Sequence, residues 1–252
     1  MMAKLFRGVM LILFGAFAGM AGAQNLPALC AASTSLIEGD TPLPHLARRL
    51  GSLQPALIVV IGTSSAAGAG VSSPANAFPI RLERELTQRY PKARISVQTI
   101  ARAGIPATRM EQIIESQVLK MNPALVIWQT GSADASRSVA LQEFGAALDR
   151  GLEALQRRQI DAILMNMQYS PYTDAFVNSR PYRTYMQWMA SRYEAPLFQR
   201  YEIMQQWSEK DMLDLRTTDK MVQIRNADMI HQCIAALLAD MIDIGIKAAH
   251  GN

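Results

Sequence analysis

Four apolar runs of strand length alternate with amphipathic stretches of helix length, and this alternation limits the chain to few architectures. The runs lie at 56–62 (Ala-Leu-Ile-Val-Val-Ile-Gly), 94–100, 124–130 and 161–168. Between them, helical periodicity covers about 76–90, 107–121 and 140–158, the last with Phe144, Leu148, Leu152 and Leu155 at i, i+4 and i, i+3 spacing. Further helices are expected at 181–193 and 201–209, with a short extended Ala195-Pro196-Leu197-Phe198 between them, and a final helix at about 228–248. Near-continuous apolar strands separated by helices predict a mostly parallel sheet covered on both faces, since both faces of such strands must be buried. The expected fold class is α/β, a three-layer α/β/α sandwich.

Residues 1–23 read as a signal peptide: a basic start at Lys4 and Arg7, a short apolar core from Val9 to Phe17, and small residues at Ala21-Gly22-Ala23. The protein is therefore expected to be exported, periplasmic or secreted. Its mature chain would be 252 − 23 = 229 residues, enough for one domain with a substantial core. Residues 24–55, with Pro27, Pro42, Pro44 and Gly51, predict a lead-in segment on the surface of a domain spanning 56–252. Removing Lys4 and Arg7 leaves 23 basic against 21 acidic residues, a net charge of about +2. With no basic block or aromatic–basic interleaving, nucleic acid is not an expected partner. No later segment reads as long and apolar enough to span a membrane, so none is expected after signal cleavage. The sequence does not set the oligomeric state.

Cys30 and Cys233 are the chain's two cysteines. In an oxidising compartment an even pair is most simply one disulfide, and two separate thiols are the alternative. No His, Cys, Asp and Glu cluster has metal-ligand spacing, and Met165 and Met167 alternate as core-filling residues of a buried strand would. Gly68-Ala69-Gly70 lacks the lysine and the acidic residue of nucleotide loops. Neither metal nor cofactor is expected.

Chemistry concentrates after the first strand, where Gly62-Thr63-Ser64-Ser65-Ala66-Ala67-Gly68 places hydroxyls at the carboxyl edge of a sheet. A serine hydroxyl needs a base to become a nucleophile, and imidazole titrates near neutrality. Of the three histidines, His45 lies in the lead-in, His250 at the end of the chain, and His231 inside a patterned segment. The structural alternatives are a helix-capping Ser64 and a buried, hydrogen-bonded His231.

The order of these blocks resembles the SGNH (GDSL-type) hydrolases, esterases with a flavodoxin-like fold. Gly62-Thr63-Ser64-Ser65-Ala66-Ala67-Gly68 corresponds to the first block, Arg102-Ala103-Gly104-Ile105-Pro106-Ala107 to the second and Gly131-Ser132-Ala133-Asp134 to the third. Asp228-Met229-Ile230-His231 corresponds to the last. The resemblance implies Ser64 as nucleophile, His231 as base, Asp228 as its partner, and backbone N–H groups of Ser64 and Ala107 as oxyanion donors. Gly104, Ser132, Asp134 and Arg102 would line the oxyanion and substrate site. Ala133 stands where the family has its oxyanion-hole Asn and Ala107 where it has a Gly; Gln129, Thr130 or Ser132 are candidate substitutes for the missing donor. Asp134 is either an anchor for its loop or an alternative partner for His231. Arg102 either pairs with Asp134 or receives an anionic substrate group. The aromatic residues around 169–188, starting at Gln168-Tyr169-Ser170-Pro171-Tyr172, suggest a lid or substrate-contact loop.

By this resemblance the chain is an exported serine esterase that cleaves an O-acyl ester through an acyl-serine. Its partner would be a small-molecule or polysaccharide ester, O-acetyl groups on envelope or extracellular polysaccharide among them. The alternatives are a degenerate relative that binds carbohydrate or lipid, and an O-acyltransferase using the same serine.

Overall fold

The computed structural model describes residues 30–32, 34–37 and 41–251, so the expected signal peptide lies outside the described residues. The chain runs α1 (Pro44–Gly51), β1 (Ala56–Gly62), α2 (Phe78–Arg89), β2 (Ile95–Ala101), α3 (Ala107–Ser116) and β3 (Leu125–Gln129). It continues through α4 (Ser132–Ser136), α5 (Leu141–Arg157), β4 (Asp161–Met165), α6 (Pro171–Asp174), α7 (Arg180–Arg192), β5 (Leu197–Phe198), α8 (Arg200–Glu209) and α9 (Lys220–His250).

The five strands form one sheet in the order β2-β1-β3-β4-β5, and every pairing is parallel. This is the flavodoxin-like order, in which the chain leaves β1 for one side of the sheet and later returns to its other side at β3. The carboxyl ends of β1 and β3 flank that switch point, where such folds open a crevice. Alternation along β1 divides the core. Ile58 and Val60 pack under α1, α2, α8 and α9 with Leu46, Phe78, Trp207 and Leu238, whereas Val59 and Ile61 face Met110, Phe144, Leu148 and Met186 of α3, α5 and α7. The helical stripe expected in α5 is buried at all four of its positions.

Several boundaries moved, each for a local reason. Residues 24–55 do more than wrap the surface: Leu43, Leu46 and Leu50 are in the core, and α1 starts on Pro44, whose fixed φ suits a first helical position. Strand β4 ends at Met165, so Met165 and Met167 do not share a face; they join opposite halves of the core. Strand β2 lies at the sheet edge and alternates in exposure rather than being covered on both faces.

The last helix begins at Lys220, eight residues ahead of the expected start, because Asp219 caps it by accepting from the N–H groups of Met221 and Val222. At 31 residues α9 is long and apolar enough to cross a membrane, contrary to the reading that no such segment follows the leader. Its apolar window is 72% buried inside the fold, against α1 and α2 among others, which is the packing of a core helix. Cys233 on α9 forms a disulfide with Cys30, Sγ–Sγ 2.06 Å, as expected from the pair.

Candidate functional site at the carboxyl edge of the sheet

The turn after β1 presents Ser64 at the surface while Thr63 and Ser65 on either side are buried. Gly62, the last residue of β1, admits no side chain: a Cβ there would lie 2.6 Å from Gln129 Oε1 and 2.8 Å from Ala66 Cβ. That close approach lets the end of β3 come against the serine turn. Gln129 donates weakly from Nε2 to Thr63 Oγ1 at 3.4 Å, while Gln129 Oε1, Thr130 Oγ1 and Ser65 Oγ are buried without a partner among the described residues. The floor of the site thus keeps polar capacity that the fold does not use.

Ser64 opens on a cavity of about 240 Å³ bordered by Gly104, Gln129, Ser132, Ala133, Arg137 and Gln168. Gly104 has φ 67°, the left-handed conformation glycine tolerates best, and it turns its loop into the cavity. The backbone N–H groups of Ser64 and Gly104 have no hydrogen-bond acceptor among the described residues. Ala107 N–H is not available as the oxyanion donor expected of it: it donates to the Asp134 carboxylate at 3.0 and 3.2 Å. Asp134 is fully buried and also receives the backbone N–H of Gly131 and its own, which counters the upward push of burial on its pKa. Asp134 is therefore a loop anchor; it does not meet His231.

Arg102 forms no ion pair with Asp134. The cation acting on Asp134 is Arg137, whose guanidinium lies over Gly104 (Nη2 3.3 Å from where a Cβ would sit) at the cavity edge. Nothing in the sequence pointed to Arg137, because it follows the short helix α4, which is too brief to leave a periodic signal. A second cavity of about 190 Å³ shares Ser132, Ser136 and Gln168 with the first and extends over Ser170, Thr173, Asp174 and Tyr201. Gln168 and Ser170, from the expected contact loop, take part. Trp188 and Tyr172 instead point outward, with Tyr172 Oη donating to Arg216 O.

His231, Asp228 and Ser64 are not joined as a hydrogen-bonded triad. The early start of α9 puts both Asp228 and His231 within the helix, and the Asp228 carboxylate turns to Ser72, accepting from its N–H at 3.0 Å and its hydroxyl at 2.5 Å. His231 is 3% exposed, lies outside the residues bordering the Ser64 cavity, and accepts the Phe78 N–H on Nδ1 at 2.9 Å. Accepting there places the ring proton on Nε2, the reverse of the tautomer in which a triad histidine takes a serine proton.

Burial, reinforced by Arg200 and Arg81, holds the His231 pKa down at about 3. The consequence for stability has a definite sign. Between about pH 6.5 and 3 the unfolded chain binds a proton at this histidine that the folded chain does not, so stability falls as pH falls. Asp161 works oppositely: burial raises its pKa to about 6, and between about pH 6 and 4 it favours the fold as pH falls. His231→Gln, whose amide oxygen can accept the Phe78 N–H, isolates the first effect. The stability of wild type relative to this variant is expected to drop by about 2 kcal/mol from pH 7 to pH 5 in urea titrations. A constant difference would contradict the neutral, buried imidazole.

Among the described residues no group of three or more His, Cys, Asp and Glu side chains converges as a metal site.

Residues 29–248 match the non-GDSL lipase-like family. No curated protein is similar to this chain in sequence. Among solved structures, AlinE4, an SGNH-hydrolase family esterase, is 25% identical with a TM-score of 0.52, over 66% of this chain and 86% of that one. The fold is also that of an acetylxylan esterase from Geobacillus stearothermophilus (15% identity, TM-score 0.60, 74% and 94% of the two chains). A lipase/acylhydrolase from Enterococcus faecalis likewise shares it (16% identity, TM-score 0.60, 74% and 95%). With the serine turn, the parallel sheet and the switch-point cavity in place, this chain belongs to the non-GDSL lipase-like family, on the fold of the SGNH hydrolases.

Proposed function

We propose that Ser64 is the nucleophile of this ester-bond hydrolase and that the substrate is a short acyl ester of a sugar-like alcohol. The observation that carries this reading is the exposed Ser64 hydroxyl at the mouth of the cavity, beside unpaired N–H groups of Ser64 and Gly104. Ser64 Oγ adds to the ester carbonyl, the alcohol leaves with a proton, and water cleaves the resulting acyl-serine to a carboxylic acid. In this reading the two backbone N–H groups stabilise the negative charge that develops on the carbonyl oxygen.

The adjoining cavity supports the alcohol part of this assignment. Its lining of Ser132, Ser136, Gln168, Ser170, Thr173 and Asp174 offers hydroxyl, amide and carboxylate partners, which suit a polyol better than an alkyl chain. That one structural neighbour is an acetylxylan esterase agrees with an O-acetyl sugar. Export to an oxidising compartment belongs to the same reading, supported by the basic and apolar leader at 1–23 and by the Cys30–Cys233 disulfide.

One observation favours a second reading, a binding protein that keeps the cleft without turnover: His231 is buried, lies outside the residues bordering the Ser64 cavity, and holds the wrong tautomer to serve Ser64. A fluorophosphonate probe separates the two. Labelling of wild type and not of Ser64→Ala is the expected result; no labelling of either would overturn the hydrolase assignment of Ser64.

A further inference from the structure

Arg200 is an unusual residue to find at the start of α8, just after β5. It is 1% exposed and, among the described residues, belongs to no ion pair and leaves Nε and Nη1 without any hydrogen-bond partner. Burial lowers its pKa only to about 10, so it stays cationic at neutral pH. The nearest acid in sequence, Glu202 on the same helix, is occupied by Arg183 and by Asn166 Nδ2. A buried guanidinium without a counter-ion is costly, and packing alone would be served by an apolar residue of similar length.

The one side-chain hydrogen bond that Arg200 makes among the described residues leads to the site. Its Nη2 donates to Gln168 Oε1 at 3.2 Å, and Gln168 borders both the Ser64 cavity and the cavity beside it. With its oxygen held by a cation, the Gln168 amide must present its two N–H donors away from Arg200, and they have no partner among the described residues. Donation from a cation into an amide oxygen also polarises the amide, which makes its N–H groups stronger donors. Across the same cavity, Ala133 contributes only a methyl group.

We propose that the Gln168 amide, positioned by the buried Arg200, donates to the developing oxyanion and restores the side-chain donor that Ala133 cannot supply. Gln168 is then a catalytic residue and Arg200 a positioning residue acting through it. The inference rests on Ser64 as nucleophile. It differs from a substrate-binding role for Gln168 because an oxyanion donor acts on turnover, whereas a group that only binds the alcohol changes KM.

The test is steady-state hydrolysis of p-nitrophenyl acetate by the full-length mature protein. Gln168→Ala, an exposed substitution, is expected to lower kcat about 10²-fold with little change in KM. Gln168→Glu is expected to lose at least as much, since its carboxylate pairs with Arg200 and offers no donor. Arg200→Met should lower kcat about 10-fold alone and add nothing in the Gln168→Ala background, because both changes remove the same bond. Should Arg200→Met fail to fold, the two Gln168 variants decide. Wild-type kcat in Gln168→Ala, or a change confined to KM, overturns the proposal while leaving Ser64 standing. If Ser64→Ala retains full activity, or wild type neither hydrolyses the ester nor labels, Ser64 and the inference built on it fall together.

Discussion

Ser64→Ala is expected to reduce ester hydrolysis by at least about 10³-fold with the fold unchanged. The side chain is exposed and takes no part in packing, so loss of the hydroxyl costs chemistry and not stability. The pH dependence of the wild-type reaction adds information that the alanine variant does not. An imidazole base gives a rate that climbs through a pKa near 6.5 and then levels off. His231 cannot produce that inflection, since its pKa lies at about 3 and its Nδ1 is committed to the Phe78 N–H. The expected profile shows no step near pH 6.5 and keeps rising with hydroxide. Turnover should correspondingly be slow, because a serine without a hydrogen-bonded base forgoes the roughly 10²–10⁴-fold that general base catalysis supplies. A plateau above pH 7, lost in His231→Gln, would show that the histidine swings to Ser64 when substrate binds.

The contrast between Ser64 and His231 shows which placements a sequence carries and which it does not. The position of Ser64 was legible because it is set locally: an apolar run, a glycine against which β3 closes, and small residues after it together dictate an exposed hydroxyl at a strand end. The strand–helix alternation was legible for the same reason, and it predicted the parallel sheet and three layers seen here. Asp228 and His231 sit at a spacing that suits a helix as well as a catalytic turn. What separates the two is the cap at Asp219, nine residues upstream, which starts α9 early and turns Asp228 towards Ser72. Ala107 was misjudged in the same way. Its N–H would be a free donor in an isolated loop, but the Asp134 carboxylate 27 residues away takes it. Arg200 was invisible altogether, since nothing around Gln199 and Arg200 in the sequence marks a cation for burial; only the docking of β5 against β4 puts it beneath Gln168.

The other large effect concerns the disulfide. Cys30 and Cys233 close a loop across 203 residues of sequence, and both are within the core against α1, α8 and α9. In the chain-entropy treatment, restraining so long a loop in the unfolded state stabilises the fold by about 5 kcal/mol. At roughly 2–4 °C per kcal/mol for a domain of this size, reduction should lower Tm by about 10–20 °C. The folded structure should survive that loss, because α9 is held independently by its apolar packing on α1 and α2, and Trp207 Nε1 still donates to Ala31 O beside Cys30. Scanning calorimetry of the oxidised protein, the reduced protein and Cys30→Ala/Cys233→Ala measures this directly. The double variant is expected to match the reduced protein to within a few degrees, and neither should respond to further reductant. A Tm shift below about 3 °C on reduction would mean that segment 30–37 is already held near α9 in the unfolded ensemble, removing the entropy the crosslink is meant to restrict. A large shift would instead tie the fold's margin of stability to an oxidising environment.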